Sequence, residues 1–286
     1  MNKLKTFCIT YLNNENQSQF LEYTKFLDTL DLEIIGADSI NKKYPSHWLI
    51  DSTGPNISHK NKNYASLTVF FWIWKNALKN MNDNDWISLC HYRRFWIKFK
   101  HDDSINKNNL KNNILRSIPK EALEKDAIVN QPQSFENIKL SKMIKKGYKF
   151  IYKNPSAIFN KKKRTIKFHF DLMHGDGNLD KAIELLHPDE RKDFSEFVNS
   201  EVSFNPHNMF ICKSKTLLMK YYSSVFPWLD RCENLFGLKL EGYGLKRIYG
   251  FLAERYMSYW FRKYTNYKTQ RIIFKDISDF NKIKEL

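Results

Sequence analysis

The first 37 residues alternate between strand and helix patterns, and this alternation limits the folds open to the chain. Residues 6–12 form a short apolar run typical of a buried strand, residues 17–30 carry apolar side chains at helical spacing, and residues 32–37 repeat the strand pattern. A β-α-β opening predicts an α/β domain with a parallel sheet. No G-x-G-x-x-G motif and no P-loop follow the first strand, which excludes a standard dinucleotide site and a P-loop NTPase.

Strand and helix patterns continue through the rest of the chain. Strands are predicted over residues 86–90, 126–130 and 208–212. Helices are predicted over residues 64–79, 179–186, 190–198 and 245–262, and over 215–236, where Pro227 interrupts the helix. We interpret the Lys-rich residues 134–165 as a mobile loop or excursion, and residues 266–286 as a C-terminal tail with one strand-like run at 271–274. The expected architecture is one α/β domain over residues 1–286 with a helical C-terminal part.

Charge and cysteine use narrow the functional classes. The formal net charge is +16, which suits an anionic partner such as a nucleic acid, a lipid headgroup or a phosphorylated small molecule. The four cysteines lie far apart, without the spacing of a metal or redox site, and this predicts reduced thiols in a reducing compartment. No signal-peptide pattern and no apolar stretch long enough for a membrane span is present, so we expect a cytoplasmic protein.

The predicted strand over residues 86–90 ends abruptly at His91, Tyr92, Arg93 and Arg94. Ligands of open α/β sheets bind beyond the carboxyl ends of the strands, and adjacent guanidinium groups offer several fixed donors to phosphate oxygens. These residues therefore predict a phosphate-binding site. The alternative is structural: one arginine pairs with a core carboxylate and the histidine ends the strand.

A polar segment precedes the predicted helix over residues 64–79. It carries Asn56, Ser58, His59 and Lys60 close to a helix N-terminus, where anions are favoured. We predict that these four side chains bind a donor substrate. Turn formation and helix capping explain Asn and Ser equally well.

Two histidines lie close to acidic residues between residues 169 and 176. His169, Asp171, His174 and Asp176 could ligate a metal ion, although their spacing matches no strong zinc motif. We instead assign His169, Asp171 and His174 to acceptor binding, together with Asn208. Surface histidines without a ligand are the alternative.

Glu254 is the only carboxylate in the aromatic-rich residues 242–267. On a helix, it would share one face with Arg247 and Gly250. A semi-buried carboxylate beside a sugar site could act as a general base. The alternative is a structural Glu-Arg pair.

Five segments in this order resemble a known family. They are GPNISHKN at residues 54–61, WIWKN at 72–76, LCHYRRF at 89–95, NMFI at 208–211 and GFLAER at 250–255. The chain resembles the bacterial capsular and exopolysaccharide biosynthesis family known as domain of unknown function 4422, over roughly residues 5–265. Pro55 and Ser66 depart from the Asp and Glu that are common in that family.

This resemblance implies a glycosyltransferase of the GT-A type, with a Rossmann-type nucleotide-sugar site, and some family members use UDP-galactofuranose. By resemblance, Glu254 falls where inverting GT-A enzymes place the catalytic carboxylate, and Arg247 joins the donor site. His91, Tyr92, Arg93 and Arg94 stand where other GT-A enzymes carry a metal-binding Asp-x-Asp, so the resemblance implies that a divalent metal is not essential. Asp83, Asn84 and Asp85 have the Asp-x-Asp letters but precede the strand.

The resulting hypothesis is that the protein transfers one sugar, with inversion, from a nucleotide donor that we expect to be a UDP-sugar. The acceptor would be a polyprenyl-diphosphate-linked glycan of a capsule, exopolysaccharide or lipopolysaccharide O-antigen. The enzyme would work in the cytoplasm, peripherally at the anionic inner face of the plasma membrane. Two alternative hypotheses stay open. The protein could be a non-catalytic scaffold of a polysaccharide assembly complex, or a basic nucleic-acid-binding protein.

Overall fold

The computed structural model describes residues 4–11, 17–106, 108–275 and 283–285. Residue 12 of the first predicted strand, and residues 276–282 and 286 of the predicted tail, lie outside this range. The strands are β1 Leu4–Thr10, β2 Glu33–Gly36, β3 Leu49–Ile50, β4 Trp86–His91, β5 Arg94–Trp96, β6 Ala127–Asn130, β7 Gln133–Ser134, β8 Ser203–Phe204, β9 Phe210–Lys213, β10 Tyr267–Gln270, β11 Ile272–Lys275 and β12 Ile283–Glu285.

The central sheet is mainly parallel. Its strand order is β10-β6-β9-β4-β1-β2-β3. Strand β1 pairs in parallel with β2 and β4, whereas β9 runs antiparallel between β4 and β6. The N-terminal end of β9 therefore meets the C-terminal ends of β4 and β6, so residues just before β9 reach the ligand-binding edge of the sheet.

Helices cover both faces of the sheet. They are α1 Gln17–Asp28, α2 Asn61–Tyr64, α3 Leu67–Trp72, α4 Leu110–Asn113, α5 Leu140–Lys153, α6 Ser156–Phe159, α7 Ile166–His174, α8 Asn178–Ile183, α9 Pro188–Ser200, α10 Lys215–Phe236, α11 Tyr243–Lys246 and α12 Ile248–Tyr264. The alternation of side chains along a strand divides the core. Phe7 and Ile9 of β1 pack on the side of α10 and α12, and Cys8 packs on the opposite side with α1. The predicted α/β class with a helical C-terminal part is confirmed.

Two predicted helices differ in their continuity. The helix predicted over residues 64–79 is broken at Ala65, whose φ of 50° is left-handed, and it continues from α3 as a π-helical turn over Ile73–Ala77. Pro227, in contrast, does not end α10. Phe226 and Trp228 beside it are buried, and this packing outweighs the roughly 3 kcal/mol that an internal proline costs.

The segment predicted as a mobile loop or excursion contains helices α5 and α6. Its helical period is hard to read from sequence because α5 has a non-helical residue at Gly147 (φ −171°, ψ 69°). The segment predicted as a tail adds β10 and β11 to the sheet, where β10 pairs in parallel with β6. Within the part of the chain that is described, no helix combines the length and apolarity needed to cross a membrane.

Candidate functional site

A cleft of about 700 Å³ opens where β1 and β4 end and β9 begins. Its wall is rich in cationic side chains and contains two carboxylates. The lining residues are Tyr11, Asp38, Lys42, Asn61, Lys62, Ala65, Ser66, His91, Tyr92, Arg93, Arg94, His207, Asn208, Tyr243, Lys246, Arg247, Gly250, Phe251 and Glu254. This is the edge of the sheet at which α/β proteins bind ligands.

The residues at the end of β4 line this cleft as the sequence pattern suggested. His91 is the last residue of β4, and Arg94 pairs with it as β5 turns back. The imidazole of His91 is buried, with Nε2 3.1 Å from the carbonyl oxygen of His207. Burial, aided by the charges of Arg94 and Arg93, lowers the pKa of His91 to about 3. His91 is therefore neutral at pH 7, and the positive charge at this wall comes from the two arginines.

His207 and Asn208 form a turn with left-handed backbone immediately before β9. Their φ angles are 79° and 51°, a conformation that non-glycine residues rarely adopt and that clusters at functional sites. The Asn208 side chain donates from Nδ2 to the carbonyl oxygen of Gly250 at 3.0 Å. Its buried Oδ1 has no hydrogen-bond partner among the residues described. The Asn208 amide thus ties this turn to α12.

Glu254 projects from α12 to the same wall of the cleft, with 12% of its side chain exposed. Its Oε1 accepts a hydrogen bond from the backbone N–H of His207, and its Oε2 accepts one from Nη1 of Arg255 at 2.7 Å. Burial raises the pKa of Glu254, and this effect exceeds the opposing influence of Arg255, the His207 N–H and Arg94. A carboxylate with a raised pKa and access to a cleft has the properties of a general base.

Arg255 holds Glu254 from behind. Its guanidinium is almost fully buried and lies 4.2 Å above the ring of Phe204, and its Nη2 is 3.2 Å from Nδ1 of His169. His169 in turn stacks on Phe135 with ring centroids 3.8 Å apart. The Glu-Arg pair considered from sequence therefore exists, and it leaves the carboxylate exposed to the cleft.

Three of the four residues assigned to acceptor binding do not line the cleft. His169 supports Arg255, and Asp171 pairs with Lys167 at 2.6 Å. His174 is buried, with Nδ1 3.1 Å from the carbonyl oxygen of Gly244 and its ring stacked on Phe251. These side chains face the packing between helices because α7 lies behind the cleft wall. Asn208 alone of the four lines the cleft.

The predicted donor segment also lies outside the lining. Asn56 bonds to backbone atoms of its own turn, and His59 is exposed elsewhere. Lys60 forms an ion pair with Glu233 of α10 at 2.8 Å. Ser58 donates to the buried carboxylate of Asp51 at 2.6 Å. The alternative of turn formation, considered for Asn and Ser, thus describes Asn56, and the donor role of all four residues stays a prediction.

Two acidic residues near the cleft, Asp51 and Asp38, were not predicted from the sequence. Asp51 accepts hydrogen bonds from Ser39 Oγ (2.7 Å), Ser58 Oγ (2.6 Å) and Thr68 Oγ1 (2.7 Å), so it joins the loops after β2 and β3 to α3. Asp38 follows β2 and enters the cleft lining. The sequence does indicate Asp38 as a candidate, because it directly follows the second strand of a β-α-β unit, where ribose-binding carboxylates occur.

One turn further along the donor segment, Asn61 and Lys62 reach the cleft. They belong to α2, which Ala65 ends before α3 begins. The pattern predicts one helix from residue 64, whereas α2 ends at Tyr64 and packs against α12, which carries Gly250. The sequence has no proline or glycine at this break to indicate it.

A second cavity of about 430 Å³ adjoins the cleft. Arg94 and His207 line both spaces. The other lining residues follow β6 or precede β9, and they are Asn130, Gln131, Pro132, Gln133 and Pro206. Arg94 and His207 therefore form the wall between the two cavities, beside the Glu254 carboxylate.

Acidic residues do not cluster as a metal site in the described ranges. No group of three His, Cys, Asp or Glu side chains there is arranged to hold a metal ion. Asp83, whose segment has the Asp-x-Asp letters, accepts a hydrogen bond from the backbone N–H of Thr216 at 2.8 Å. It serves the N-terminus of α10, where a carboxylate is favoured.

Comparison with known proteins supports the fold and identifies the family. The apo structure of WbbM, a bifunctional glycosyltransferase, aligns with 94% of this chain at a TM-score of 0.62 and 18% sequence identity. This chain spans 44% of the length of that chain, and the likeness is one of fold. No curated protein matches the sequence. The profile of the family described as domain of unknown function (DUF4422) matches residues 22–266, and the chain belongs to this family.

Proposed function

We propose that this protein is an inverting glycosyltransferase of the GT-A type that uses a nucleotide sugar, preferably a UDP-sugar. The observation that carries the proposal is one cleft in which Arg93, Arg94 and Arg247 face the same space as the carboxylate of Glu254. A nucleotide diphosphate sugar needs cations at its phosphates and a base near its anomeric carbon. The fold shared with WbbM and the membership of DUF4422 support the same reading.

The arginines would bind the diphosphate and stabilise the leaving group. Arg94 is largely buried, so its charge acts through a medium of lower polarisability than water. Guanidinium groups donate to phosphate oxygens in fixed geometry, and transition-state charge on the departing diphosphate would strengthen these bonds. Because this cationic wall neutralises the diphosphate, we propose that a divalent metal is not essential.

Glu254 would deprotonate the acceptor hydroxyl. As that oxygen attacks the anomeric carbon, the bond to the diphosphate oxygen breaks, and the proton passes to the carboxylate. The raised pKa of Glu254 makes it a better proton acceptor than an exposed carboxylate. Its hydrogen bonds to the His207 N–H and to Arg255 hold it in one orientation.

The two cavities suggest where each substrate binds. The donor nucleotide would occupy the larger cleft, with Asp38 accepting from ribose hydroxyls. The acceptor would enter from the smaller cavity, across Arg94 and His207, and present its hydroxyl to Glu254. Asn208, which lines the larger cleft, would contact a sugar ring there.

The finer identities rest on the family resemblance. Galactofuranose is the donor sugar to test first, and a polyprenyl-diphosphate-linked glycan of a capsule, exopolysaccharide or O-antigen is the acceptor class. A lipid-linked acceptor would place the enzyme peripherally at the inner face of the plasma membrane.

A panel of sugar nucleotides tests the proposal. Purified protein is incubated with UDP-galactofuranose, UDP-galactose, UDP-glucose and other donors plus a lipid-linked or synthetic glycan acceptor, and UDP release and product are measured. Transfer from one donor that Glu254→Gln abolishes supports the proposal. UDP binding without transfer from any donor favours the hypothesis of a non-catalytic scaffold. Tight binding of nucleic acid without UDP binding favours the hypothesis of a nucleic-acid-binding protein.

A further inference from the structure

Helices α5 and α6 expose a row of large apolar side chains. Leu140 and Ile144 are one helical turn apart, as are Tyr148 and Tyr152 on the other side of Gly147. All four are exposed, and Tyr152 is 88% exposed. Phe159 at the end of α6 is 87% exposed. Exposed aromatic side chains in one short segment indicate an interaction surface.

The same segment carries an unusual concentration of positive charge. Between Lys139 and Arg164 the sequence has ten basic residues and no Asp or Glu. Lys145, Lys146 and Lys149 are exposed on α5 beside the apolar row, and residues 161–163 add three more exposed lysines after α6. An apolar row flanked by lysines is the pattern of a helix that lies in the interface of an anionic membrane.

The segment is anchored to the protein by its buried side chains. Met143, Ile151 and Ala157 are buried against Phe168 and Leu172 of α7. The buried guanidinium of Arg164 donates to the carbonyl oxygens of Ala157 (2.8 Å), Ile158 (3.2 Å), Glu136 (2.6 Å) and Ile138 (3.1 Å). The outward row is therefore presented by a packed structure, and its exposure is not needed for the fold.

We propose that the surface formed by residues 139–163 docks the protein on an anionic lipid bilayer. Lysine ammonium groups would contact phosphate headgroups, and Tyr148, Tyr152 and Phe159 would insert at the level of the glycerol backbone. Charge selects this occupant over an apolar protein groove or a second copy of the chain, because residues 139–163 carry nine lysines and no acidic residue and would repel an identical surface.

The position of the surface suits a lipid-linked substrate. Residues 130–133 line the smaller cavity, and the chain passes from them through β7 into α5. Helix α5 packs on α7, and α7 contacts α11, whose Tyr243 lines the cleft. The docking surface and the cleft are thus joined by a short series of packed elements. The inference deepens the membrane location proposed above, but it does not depend on sugar transfer.

Vesicle co-sedimentation with the full chain tests the proposal. The probes are vesicles of phosphatidylcholine alone and vesicles containing about one third phosphatidylglycerol, each also in about 0.5 M NaCl. An apolar variant combines Tyr148→Ser, Tyr152→Ser and Phe159→Ser, and a charge variant combines Lys145→Glu, Lys146→Glu and Lys149→Glu. Matched controls change exposed residues elsewhere: Leu21→Ser, Leu123→Ser and Leu235→Ser, or Lys79→Glu, Lys192→Glu and Lys220→Glu.

We expect the unmodified protein to bind the anionic vesicles preferentially and salt to weaken this binding. Each variant of the surface should lose about tenfold or more in partitioning, whereas the controls keep most of it. Thermal unfolding and UDP binding should stay unchanged in all variants, because the changed side chains are exposed and remote from the cleft lining. Absent or charge-independent vesicle binding, equal losses in the controls, or a dimer that the apolar variant dissociates would overturn the proposal. Vesicle binding in a protein that transfers no sugar would leave this inference standing and refute only the proposed function.

Discussion

The carboxylate of Glu254 accepts a hydrogen bond from the backbone N–H of His207, and this bond joins α12 to the left-handed turn before β9. Because β9 is antiparallel to β4, that turn also contacts His91 at the end of β4. One hydrogen bond thus connects the proposed base with the cationic wall of the cleft. Glu254 therefore has a structural role in addition to the proposed chemical one.

Replacing Glu254 with Gln should lower turnover by about 10²–10⁴-fold while UDP binding is nearly retained, because a base acts only in the chemical step. Gln keeps an acceptor oxygen for the His207 N–H but places an amide NH2 group beside the buried Arg255 guanidinium, so thermal unfolding is measured on the same preparation to show that the variant is folded. In the unmodified protein, the acidic limb of the rate profile should lie above the ordinary pKa of a glutamate, since burial raises the pKa of Glu254. Glu233→Gln is the matched control because Glu233 pairs with Lys60 outside the cleft. Near-normal turnover of the folded Glu254→Gln protein would reject the base assignment.

Replacing Arg93 or Arg94 with Gln should weaken UDP binding by about ten- to a hundredfold, as expected when a charged hydrogen bond to phosphate is lost. Isothermal titration with UDP and with uridine measures this effect, and uridine binding should change much less. Arg262→Gln, which removes a surface ion pair with Glu201, provides the control. Equal losses for UDP and uridine would show that the arginines do not bind the diphosphate.

Lys62 and His59 lie three residues apart, but only Lys62 lines the cleft. Lys62→Met should therefore raise the donor KM by about three- to tenfold, because it removes one partly screened positive charge from the cleft. His59→Ala should leave the donor KM unchanged. Initial-rate kinetics at varied donor concentration compare the two variants. A larger effect at His59 would restore the donor role predicted for it from sequence.

Acid should destabilise the protein between about pH 6.5 and pH 3. Burial lowers the pKa of His91 and of His207 to about 3, so the unfolded chain binds protons in this range that the folded chain does not. The free energy of unfolding should fall with decreasing pH, by at most about 1.4 kcal/mol per pH unit for each histidine. Urea unfolding of the unmodified protein and of His207→Asn measures the slopes. They should coincide above pH 7 and be shallower for the variant below pH 6, and identical slopes throughout would contradict the assignment.

Activity should persist in excess EDTA. The cationic lining of the cleft would neutralise the diphosphate, so chelation should change the rate by less than about twofold. The assay is run with EDTA, and then with Mn²⁺ or Mg²⁺ restored. Complete loss in EDTA that Mn²⁺ reverses would show that the metal is essential.

Local patterns in the sequence determine most of the sheet and one wall of the cleft. Residues 86–90 are apolar except for Ser88, and polar residues follow from His91 to Arg94, so both the buried strand β4 and the polar site at its end can be predicted. The amphipathic pattern of α12 likewise predicts that Glu254 lies on one face with Gly250 and Arg247. These features depend on residues close in sequence, and periodicity reports such relationships directly.

Only the tertiary structure decides which polar residues meet. His169 and Asn56 have the same residue chemistry as real ligand contacts, but one supports Arg255 and the other caps its own turn. His207 enters the cleft because β9 is inserted antiparallel beside β4, a pairing between residues more than a hundred positions apart. The break at Ala65 has no helix-breaking residue to indicate it, and Lys62, not Lys60, lines the cleft. At these positions, long-range strand pairing and burial outweigh local propensity. Local periodicity does not report contacts between residues that are distant in sequence, so these contacts could not be predicted.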